Sequence, residues 1–369
     1  MNSVYIHIPF CKSKCPYCDF YSYRCNNEQR EKYVDAIVDE ITTNRRASEF
    51  LKKPFTADTL YLGGGTPSVL SGEQLFKIID TAKKEYSLPA DAEITIECNP
   101  SSDIEGLIPY FKKAGVNRIS LGMQSAVTKE RQQLGRAADK ERISSVISLL
   151  KENGITNISL DVMLGIPLQT NDSLKETLEF AVECKVTHIS AYILKIEEGT
   201  FFHKNQSRYV FPDENEVCDL YYQCCDFLEN NGYSHYEISN FALPGFESRH
   251  NTKYWELENY LGIGAAAHSY IDGKRFYFPD NSEEFINGGK AVFDDEGGDY
   301  EEYIMLRLRL KEGLSVTQLA NRYGEKHTKK IIKKAPLLKE QGFVNFDGES
   351  LSLTNKGFLL SNAIIAELI

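Results

Sequence analysis

The feature that most constrains the fold is an alternation of strand-like and helix-like segments over the first two thirds of the 369-residue chain. Short β-branched apolar runs alternate with longer segments whose apolar residues recur at helical spacing. Such alternation requires a parallel sheet, because parallel strands are joined by crossovers that are usually helical. The predicted strands are Val4–Ile8, Thr59–Leu62, Glu93–Cys98, Asn117–Met123, Asn157–Leu164 and His188–Leu194. The predicted helices are Glu28–Arg46, Gly72–Tyr86, Ile104–Ala114, Asp139–Asn153, Asp172–Cys184 and Glu214–Asn230.

Six such units predict an α/β domain over residues 1–232. They are too few for a closed eight-fold barrel, so an open partial barrel and a doubly wound sheet both fit. In either architecture, ligands bind at the carboxyl ends of the strands. The residues just after each strand are therefore the first candidates for a functional site.

The pattern changes after residue 232. Residues 233–299 read as a β-rich or irregular connecting region, with Asp294–Asp299 as a linker. Residues 300–369 read as short helices and a hairpin turning on Asp347-Gly348, which together resemble a winged helix. The chain has 42 basic and 53 acidic residues, a formal charge of −11, whereas nucleic-acid binding needs a basic face. We therefore predict a structural α+β cap and no nucleic-acid partner.

Composition also indicates a compartment. The amino terminus lacks a basic segment and a long apolar segment, and no apolar run approaches the ~18 residues that span a bilayer. We therefore expect a cytoplasmic protein, in which disulfides are disfavoured, so the nine cysteines should be buried thiols or metal ligands. Six of them are predicted to pack as buried thiols, namely Cys25, Cys98, Cys184, Cys218, Cys224 and Cys225.

The other three cysteines follow the first strand with the spacing C-x3-C-x2-C, at Cys11, Cys15 and Cys18. Three thiolates this close can chelate a [4Fe–4S] cluster, and they leave one iron open for a substrate. The alternative is a zinc site with His7 or Asp19 as the fourth ligand. Zinc sites usually combine two cysteine pairs, and no second pair is evident, so the spacing favours the cluster.

The second predicted strand ends in Leu62-Gly63-Gly64-Gly65-Thr66-Pro67, where glycines allow backbone N–H groups to approach a ligand closely. With the cysteine loop, this segment resembles the radical S-adenosylmethionine (SAM) superfamily, whose cluster motif has an aromatic residue before the last cysteine, here Tyr17. The resemblance implies that the open iron binds the amino and carboxylate groups of SAM. It also implies that an electron from the cluster cleaves SAM to a 5′-deoxyadenosyl radical.

Further motifs resemble the oxygen-independent coproporphyrinogen III oxidase group within that superfamily. They are Tyr5–Cys11, Gly63–Ser68, Ile96–Pro100, Gly122–Ser125 and Leu160–Pro167. The resemblance implies a partial (β/α)6 TIM-like barrel with a C-terminal winged-helix-like domain. It implies a SAM site lined by Tyr5, Gly64, Gly65, Thr66, Glu97, Gln124, Arg136 and Asp161, with Tyr17 beside the cluster. In that site, Glu97 and Asp161 would accept hydrogen bonds from the ammonium and the ribose hydroxyls, and Arg136 would pair with the carboxylate.

Two departures separate the chain from the oxidase branch of this group. Cys18 is followed by Asp19 and Phe20, where the oxidase branch has a fourth cysteine, and no long extension precedes the first strand. Both features resemble the second branch, the HemW heme chaperones.

A further motif supports that branch. Residues 250–255 read H-N-x-x-Y-W and resemble a motif linked to heme there. The resemblance implies heme contact by His250, Tyr254 and Trp255, and a neutral imidazole can ligate heme iron. The alternatives are that His250 is a buried structural histidine, or that Tyr254 or a cysteine ligates the iron.

The functional hypothesis is therefore a chaperone that binds heme, a [4Fe–4S] cluster and SAM, and that passes heme to respiratory heme proteins at the membrane face. Under this hypothesis the cluster and SAM would control transfer or formation of a homodimer, and no residue is assigned a catalytic role. The alternative is the oxidase itself, which converts two propionates to vinyls, and a third hypothesis is a zinc-stapled binding protein. Gly262–Ser269 is predicted to be structural or cofactor-lining and is not a dinucleotide fingerprint, because no acidic residue follows at the required distance.

Overall fold

Six parallel strands form the centre of the sheet in the computed structural model, which describes residues 2–52 and 54–369. They are β1 (Asn2–Ile8), β2 (Ala57–Gly64), β3 (Glu93–Cys98), β4 (Arg118–Gln124), β5 (Asn157–Leu164) and β6 (His188–Ile193). Each strand pairs in parallel with the next, in chain order. A strand order without reversal is that of a partial barrel and excludes the doubly wound alternative, whose order reverses at a switch point. The predicted α/β fold is confirmed.

Eight helices accompany these strands within the described residues. They are α1 (Asn27–Thr43), α2 (Gly72–Glu85), α3 (Ile104–Ala114), α4 (Thr128–Gln133), α5 (Lys140–Glu152), α6 (Asn171–Glu183), α7 (Phe201–Lys204) and α8 (Glu214–Asn230). The long helices begin at side chains that accept backbone N–H groups, such as Ser71 before α2 and Asp213 before α8. All six predicted helices are present. The short helices α4 and α7 were missed because one or two turns show no clear helical periodicity.

Further strands, most of them antiparallel to their neighbours, extend the same sheet at both edges. Beside β6 lie β8 (Asn240–Ala242) and β7 (Ser234–Glu237). Beside β1 lie β9 (Tyr260–Ile263), which pairs in parallel with β1, then β10 (His268–Ile271), β11 (Lys274–Tyr277) and β12 (Val292–Glu296). Helix α9 (Arg249–Trp255) lies between β8 and β9, and helix α10 (Ser282–Ile286) lies between β11 and β12. The predicted linker was wrong for Asp294–Glu296, because these residues belong to the edge strand β12, paired with β11.

The C-terminal region contains a three-stranded sheet and short helices. The elements are α11 (Tyr300–Arg307), β13 (Leu314–Ser315), α12 (Val316–Tyr323), α13 (Lys329–Glu340), β14 (Val344–Phe346), β15 (Ser350–Leu353), α14 (Asn355–Leu359) and α15 (Ser361–Leu368). The predicted hairpin is confirmed as β14 and β15, and Gly348 in its turn has φ +100°. The region docks beside β7, where Lys311 N–H donates to Tyr236 O at 3.0 Å and Ile238 N–H donates to Arg309 O at 2.9 Å.

The two faces of the central sheet differ in polarity, because side chains alternate along each strand. Val4, Ile6 and Ile8 of β1 are fully buried beneath the helices. Tyr5 and His7, which alternate with them, face the concave side. The concave face of the barrel is thus lined by polar side chains and carries the candidate site. Across 2–52 and 54–369, the helices are all too short or too polar to cross a membrane.

Candidate functional site

The three-cysteine loop lies at the carboxyl end of β1. Backbone hydrogen bonds from Cys11 N–H to Tyr23 O (3.0 Å) and from Cys18 N–H to Cys15 O (3.2 Å) hold its shape. The Cys11 thiol is 3.4 Å from Thr66 Oγ1, and Arg136 Nη1 donates to Cys15 Sγ at 3.8 Å. All three thiols are partly exposed and unbonded to other cysteines. The loop therefore presents three available thiols next to the glycine segment and a guanidinium.

The alternative use of these thiols is a zinc site completed by His7 or Asp19. No three His, Cys, Asp or Glu side chains among the described residues lie close enough together to hold a single ion. The sulfur ligands of one zinc ion must lie close together, because each zinc–sulfur bond is about 2.3 Å long. The sulfur ligands of a [4Fe–4S] cluster bind different irons and lie farther apart. His7, a candidate zinc ligand, is engaged at both ring nitrogens, by Tyr5 Oη and by Tyr21 O, each at 3.0 Å.

A cavity of about 640 Å³ opens at the carboxyl ends of the strands. It brings together most of the residues expected at the cluster and at SAM. Those that line it are Cys11, Cys15, Tyr17, Cys18, Gly64, Gly65, Thr66, Glu97, Gln124, Arg136 and Asp161. Tyr5 lies outside the cavity wall, and its hydroxyl is bonded to the His7 ring. Residues from β1 to β6 that are far apart in the chain thus meet in one pocket.

The glycine segment is packed so tightly that side chains would not fit. A Cβ on Gly65 would lie 2.8 Å from Ile8 O, and one on Gly64, whose φ is +105°, would lie 2.4 Å from the His7 ring. A Cβ on Gly63 would lie 2.9 Å from Glu97 Oε1. The backbone of this segment therefore runs directly beside the cluster loop and beside the partly buried Glu97 carboxylate.

Two carboxyl groups from the strands, those of Glu97 and Asp161, line the cavity, and Asp19 and Glu197 line it as well. Glu97 accepts hydrogen bonds from Tyr61 Oη at 2.8 Å and Gly64 N–H at 3.1 Å, and burial raises its pKa to about 7. Asp161 accepts from Ser120 Oγ at 3.0 Å, and burial raises its pKa to about 6. Both groups have remaining acceptor positions for an ammonium or hydroxyl donor.

Two other buried polar atoms of the cavity have no hydrogen-bond partner among the described residues. They are Gln124 Oε1, an acceptor, and Arg136 Nε, a donor. Buried polar atoms are normally hydrogen-bonded, so an unpaired donor and an unpaired acceptor in one pocket indicate a missing polar ligand. An amino acid joined to a nucleoside carries the complementary carboxylate, ammonium and hydroxyl groups. The residues present therefore fit SAM.

Sequence reasoning missed some residues of the site. Tyr61 and Ser120 hold the two carboxylates, and Phe20, Tyr192 and Ile193 line the mouth. The alternation of side chains along β2 and β4 was the available signal for Tyr61 and Ser120, since they share a face with Gly63 and Gly122.

The six remaining cysteines differ in burial. Those at 98, 224 and 225 are buried as predicted, whereas those at 25, 184 and 218 are partly exposed. Cys98 also lines the cavity, and burial raises the pKa of its thiol.

The residues predicted to contact heme lie elsewhere, in helix α9 at the amino-terminal ends of the strands. His250 is 1% exposed; its Nδ1 is 2.9 Å from Thr59 Oγ1 and its Nε2 is 2.8 Å from Tyr254 Oη. Both ring nitrogens are thus occupied, and burial lowers the pKa of the imidazole to about 3. In this conformation His250 matches the structural alternative. Gly262–Ser269, also outside the cavity, is a packing segment in which a Cβ on Gly264 would lie 2.6 Å from Tyr33 Oη.

Comparison with known proteins identifies the relatives of the chain. Residues 5–181 match the radical SAM superfamily, and residues 299–360 match the HemN C-terminal domain. The heme chaperone HemW of Lactococcus lactis is 33% identical over 371 residues, covering 98% of this chain and 96% of the relative. HemW of Bacillus subtilis is 32% identical over 381 residues, covering 99% and 98%.

A solved structure has the same fold. The coproporphyrinogen III oxidase HemN from Escherichia coli, described as a radical SAM enzyme, superposes with a TM-score of 0.84. The two chains share 23% identity, and the match covers 100% of this chain and 89% of HemN. The extent and identity of the HemW matches decide between the two branches: the chain belongs to the HemW heme chaperone family of the radical SAM superfamily.

Proposed function

We propose that the chain is a heme chaperone that binds heme, a [4Fe–4S] cluster and SAM, and transfers heme to other heme proteins. Membership of the HemW family supports the chaperone function. The missing fourth cysteine at Phe20 separates the chain from the oxidase branch that it resembles in fold. No step of the proposed function requires the chain to change the porphyrin covalently.

Cys11, Cys15 and Cys18 would hold the cluster, which, when bound, supplies an open iron position and a transferable electron. The chain's own side chains would orient SAM. Glu97 and Asp161 supply acceptors, and Arg136 supplies a donor. Burial raises the pKa of Glu97 to about 7, and the ammonium of SAM would favour its ionised form by replacing the lost hydration.

The observation that carries heme binding is an apolar rim at the mouth of the cavity, formed by Phe20, Tyr192, Ile193 and Leu194. Phe20 is 67% exposed, Tyr192 42% and Ile193 40%. Contiguous apolar groups at a cavity mouth mark a binding surface. Lys12 and Lys195 lie among them. Heme is a planar apolar ring with two propionates, so the rim would cover the ring and Lys12 would pair with a propionate, whereas Lys195 is already paired with Glu197.

Heme contact at His250, Tyr254 and Trp255 stays a prediction from sequence. It would require helix α9 to move, because the imidazole nitrogens are bonded to Thr59 and Tyr254. The apolar rim needs no such movement, so we place the heme there.

The test is a heme titration of the anaerobically reconstituted protein, followed by absorbance. We expect about four irons per chain and a saturable heme band. Replacing Phe20 and Ile193 together by serine should weaken heme binding about tenfold or more, since each large apolar contact contributes about 1–2 kcal/mol. Leu337→Ser, at another exposed apolar position, is the matched control and should leave the affinity unchanged.

Two outcomes would contradict the proposal. A reconstituted wild type with no heme band would exclude a heme chaperone. Conversion of coproporphyrinogen to vinyl products at enzymatic turnover by the same sample would establish the oxidase instead.

We further propose that the acceptors are respiratory heme proteins at the membrane face and that the chaperone acts from the cytoplasm, with cluster and SAM controlling dimerisation or transfer. A chaperone must release its cargo to another protein, so an acceptor is required. Light scattering of the reconstituted protein with and without SAM should show a change in mass. If SAM changed neither the mass nor the release of heme, the proposal that SAM controls dimerisation or transfer would be wrong.

A further inference from the structure

Helix α9, which carries the H-N-x-x-Y-W motif, closes the amino-terminal end of the barrel opposite the SAM cavity. The Glu93 carboxylate at the start of β3 accepts the backbone N–H groups of Arg249 and His250, at 3.0 and 2.9 Å. Thr59 at the start of β2 meets the His250 ring. The helix is thereby fastened to the two strands that also carry Gly64 and Glu97 at their other ends.

One side chain touches both ends of this arrangement. Tyr61, in the middle of β2, donates its hydroxyl to Glu97 Oε1 at 2.8 Å. Its ring lies 5.1 Å from the His250 ring, centroid to centroid, at an interplanar angle of 32°. His250 is in turn held by Tyr254 Oη at 2.8 Å. A continuous series of direct contacts therefore joins Tyr254, His250, Tyr61 and Glu97.

Close packing restricts the position of the Tyr61 ring. A Cβ on Gly63 would lie 2.8 Å from Tyr61 Cε1 and 2.9 Å from Glu97 Oε1, so the glycine backbone presses on both groups. On the other side the ring meets His250. A displacement of the His250 ring would therefore reach Tyr61, because closely packed side chains transmit strain.

The charges around His250 keep its imidazole neutral, as a ring that supports Tyr61 by packing should be. Burial and the charges of Arg118 and Lys253 lower the pKa of His250 to about 3, so the ring is neutral. A neutral ring can stack on Tyr61 and hydrogen-bond to Thr59 and Tyr254 without adding a charge below the SAM site.

We propose that the H-N-x-x-Y-W helix positions the SAM site: His250, held by Tyr254, supports Tyr61, and Tyr61 orients the Glu97 carboxylate toward the SAM ammonium. Tyr61, His250 and Tyr254 are positioning residues, since none of them lines the cavity. This inference rests on the proposed function in one respect, which is that SAM is the ligand of Glu97. It gives the motif a task that does not depend on heme.

The experiment measures SAM affinity by calorimetry on the cluster-loaded, oxidised protein, beside heme affinity by absorbance. Tyr61→Phe removes the hydroxyl bonded to the carboxylate and should weaken SAM about tenfold or more. His250→Ala should weaken SAM several-fold with unchanged heme affinity. The variant that combines Tyr61→Phe and His250→Ala should bind SAM no more weakly than Tyr61→Phe alone, because both changes act on the same series of contacts.

Controls separate positioning from general damage to the helix. Thr252→Ala is the matched variant, since the Thr252 hydroxyl donates to the backbone oxygen of Ser248, the residue that caps α9. It should leave SAM affinity unchanged. Tyr254→Phe removes only the hydroxyl held at 2.8 Å from His250 and serves if His250→Ala does not fold. Tyr254→Phe should weaken the affinity for SAM. Its unfolding midpoint should lie within a few degrees of that of Thr252→Ala.

The outcomes are distinct. Wild-type SAM affinity in Tyr61→Phe and Tyr254→Phe, or independent additive effects in the double variant, would overturn the proposal. Loss of the heme band in His250→Ala with normal SAM binding would also overturn it, and would assign the histidine to heme. A wild type that binds SAM but shows no heme band would refute the proposed chaperone function and leave the positioning result readable.

Discussion

At the scale of single residues, the buried carboxyl groups show how the barrel prepares its site. Glu97 lies beneath the glycine segment and is raised to a pKa of about 7, chiefly by burial and against the effect of the Tyr61 hydrogen bond. Such a group is costly to ionise until a cation arrives. SAM would supply an ammonium at that position and so offset the free-energy cost of ionising Glu97.

This leads to a pH prediction for Glu97→Gln in the cluster-free protein. The folded-state pKa lies above the ordinary value of 4.5, so the carboxyl group stabilises the fold below pH 4.5 and loses that contribution as pH rises through about 7. The free energy of unfolding of the wild type should therefore fall, relative to the variant, by about 1–3 kcal/mol between pH 5 and pH 8. Urea unfolding at both pH values measures the difference.

Glu105→Gln is the matched control. Its hydrogen bond with Arg142 lowers the pKa of Glu105 to about 2, so this group is ionised in both folded and unfolded chains above pH 5. The control should run parallel to the wild type between pH 5 and pH 8. If Glu97→Gln also ran parallel, the raised pKa of Glu97 would be wrong.

At the scale of elements, helix α9 shows how tertiary contacts create local structure. It has only seven residues, too few to be stable alone. The Ser248 hydroxyl accepts Asn251 N–H at its start, and the Glu93 carboxylate accepts two further N–H groups. Periodicity could not predict this helix, because its start is held by a strand more than a hundred residues away in the chain.

We expect Glu93→Ala to detach α9 from the barrel. Two charge-assisted hydrogen bonds would be lost, leaving the buried N–H of His250 and the partly buried N–H of Arg249 unpaired, a destabilisation of about 2–4 kcal/mol. Hydrogen exchange followed by mass spectrometry should show faster exchange within Arg249–Trp255. Glu105→Ala removes an exposed ion pair and should cost less than about 1 kcal/mol. Equal effects of the two variants would mean that Glu93 does not hold the helix.

At the scale of the whole molecule, the C-terminal region completes the structure without taking part in the cavity. All residues that line the cavity lie between Cys11 and Glu197. The C-terminal region instead pairs its backbone with Tyr236 in β7 and with Ile238 just after it. It also reaches the end of α9, where Arg307 forms an ion pair with Glu256, and β11, where Glu302 forms an ion pair with Arg275.

Removing residues 300–369 tests this separation. The shortened chain exposes the apolar surface that Ile304 and Leu308 now cover, so its unfolding midpoint should fall by several degrees or more. Reconstitution should still give about four irons per chain, because the cysteine loop is intact. A folded shortened chain, by circular dichroism, that cannot hold iron would show that the cap supports the cluster loop.

The sequence by itself determined the β/α alternation, the three-cysteine loop, the glycine segment and the carboxylates at the strand ends, because each depends on local periodicity or on spacing of a few residues. Only the tertiary structure decided that β9 pairs in parallel with β1 and that residues 233–299 extend the central sheet. It also decided that the H-N-x-x-Y-W motif lies at the end of the barrel away from the cysteines. Its contacts with Thr59, Tyr61 and Glu93 join segments more than 150 residues apart. Contacts at that separation leave no pattern in any local stretch of sequence, since they depend on which strands become neighbours.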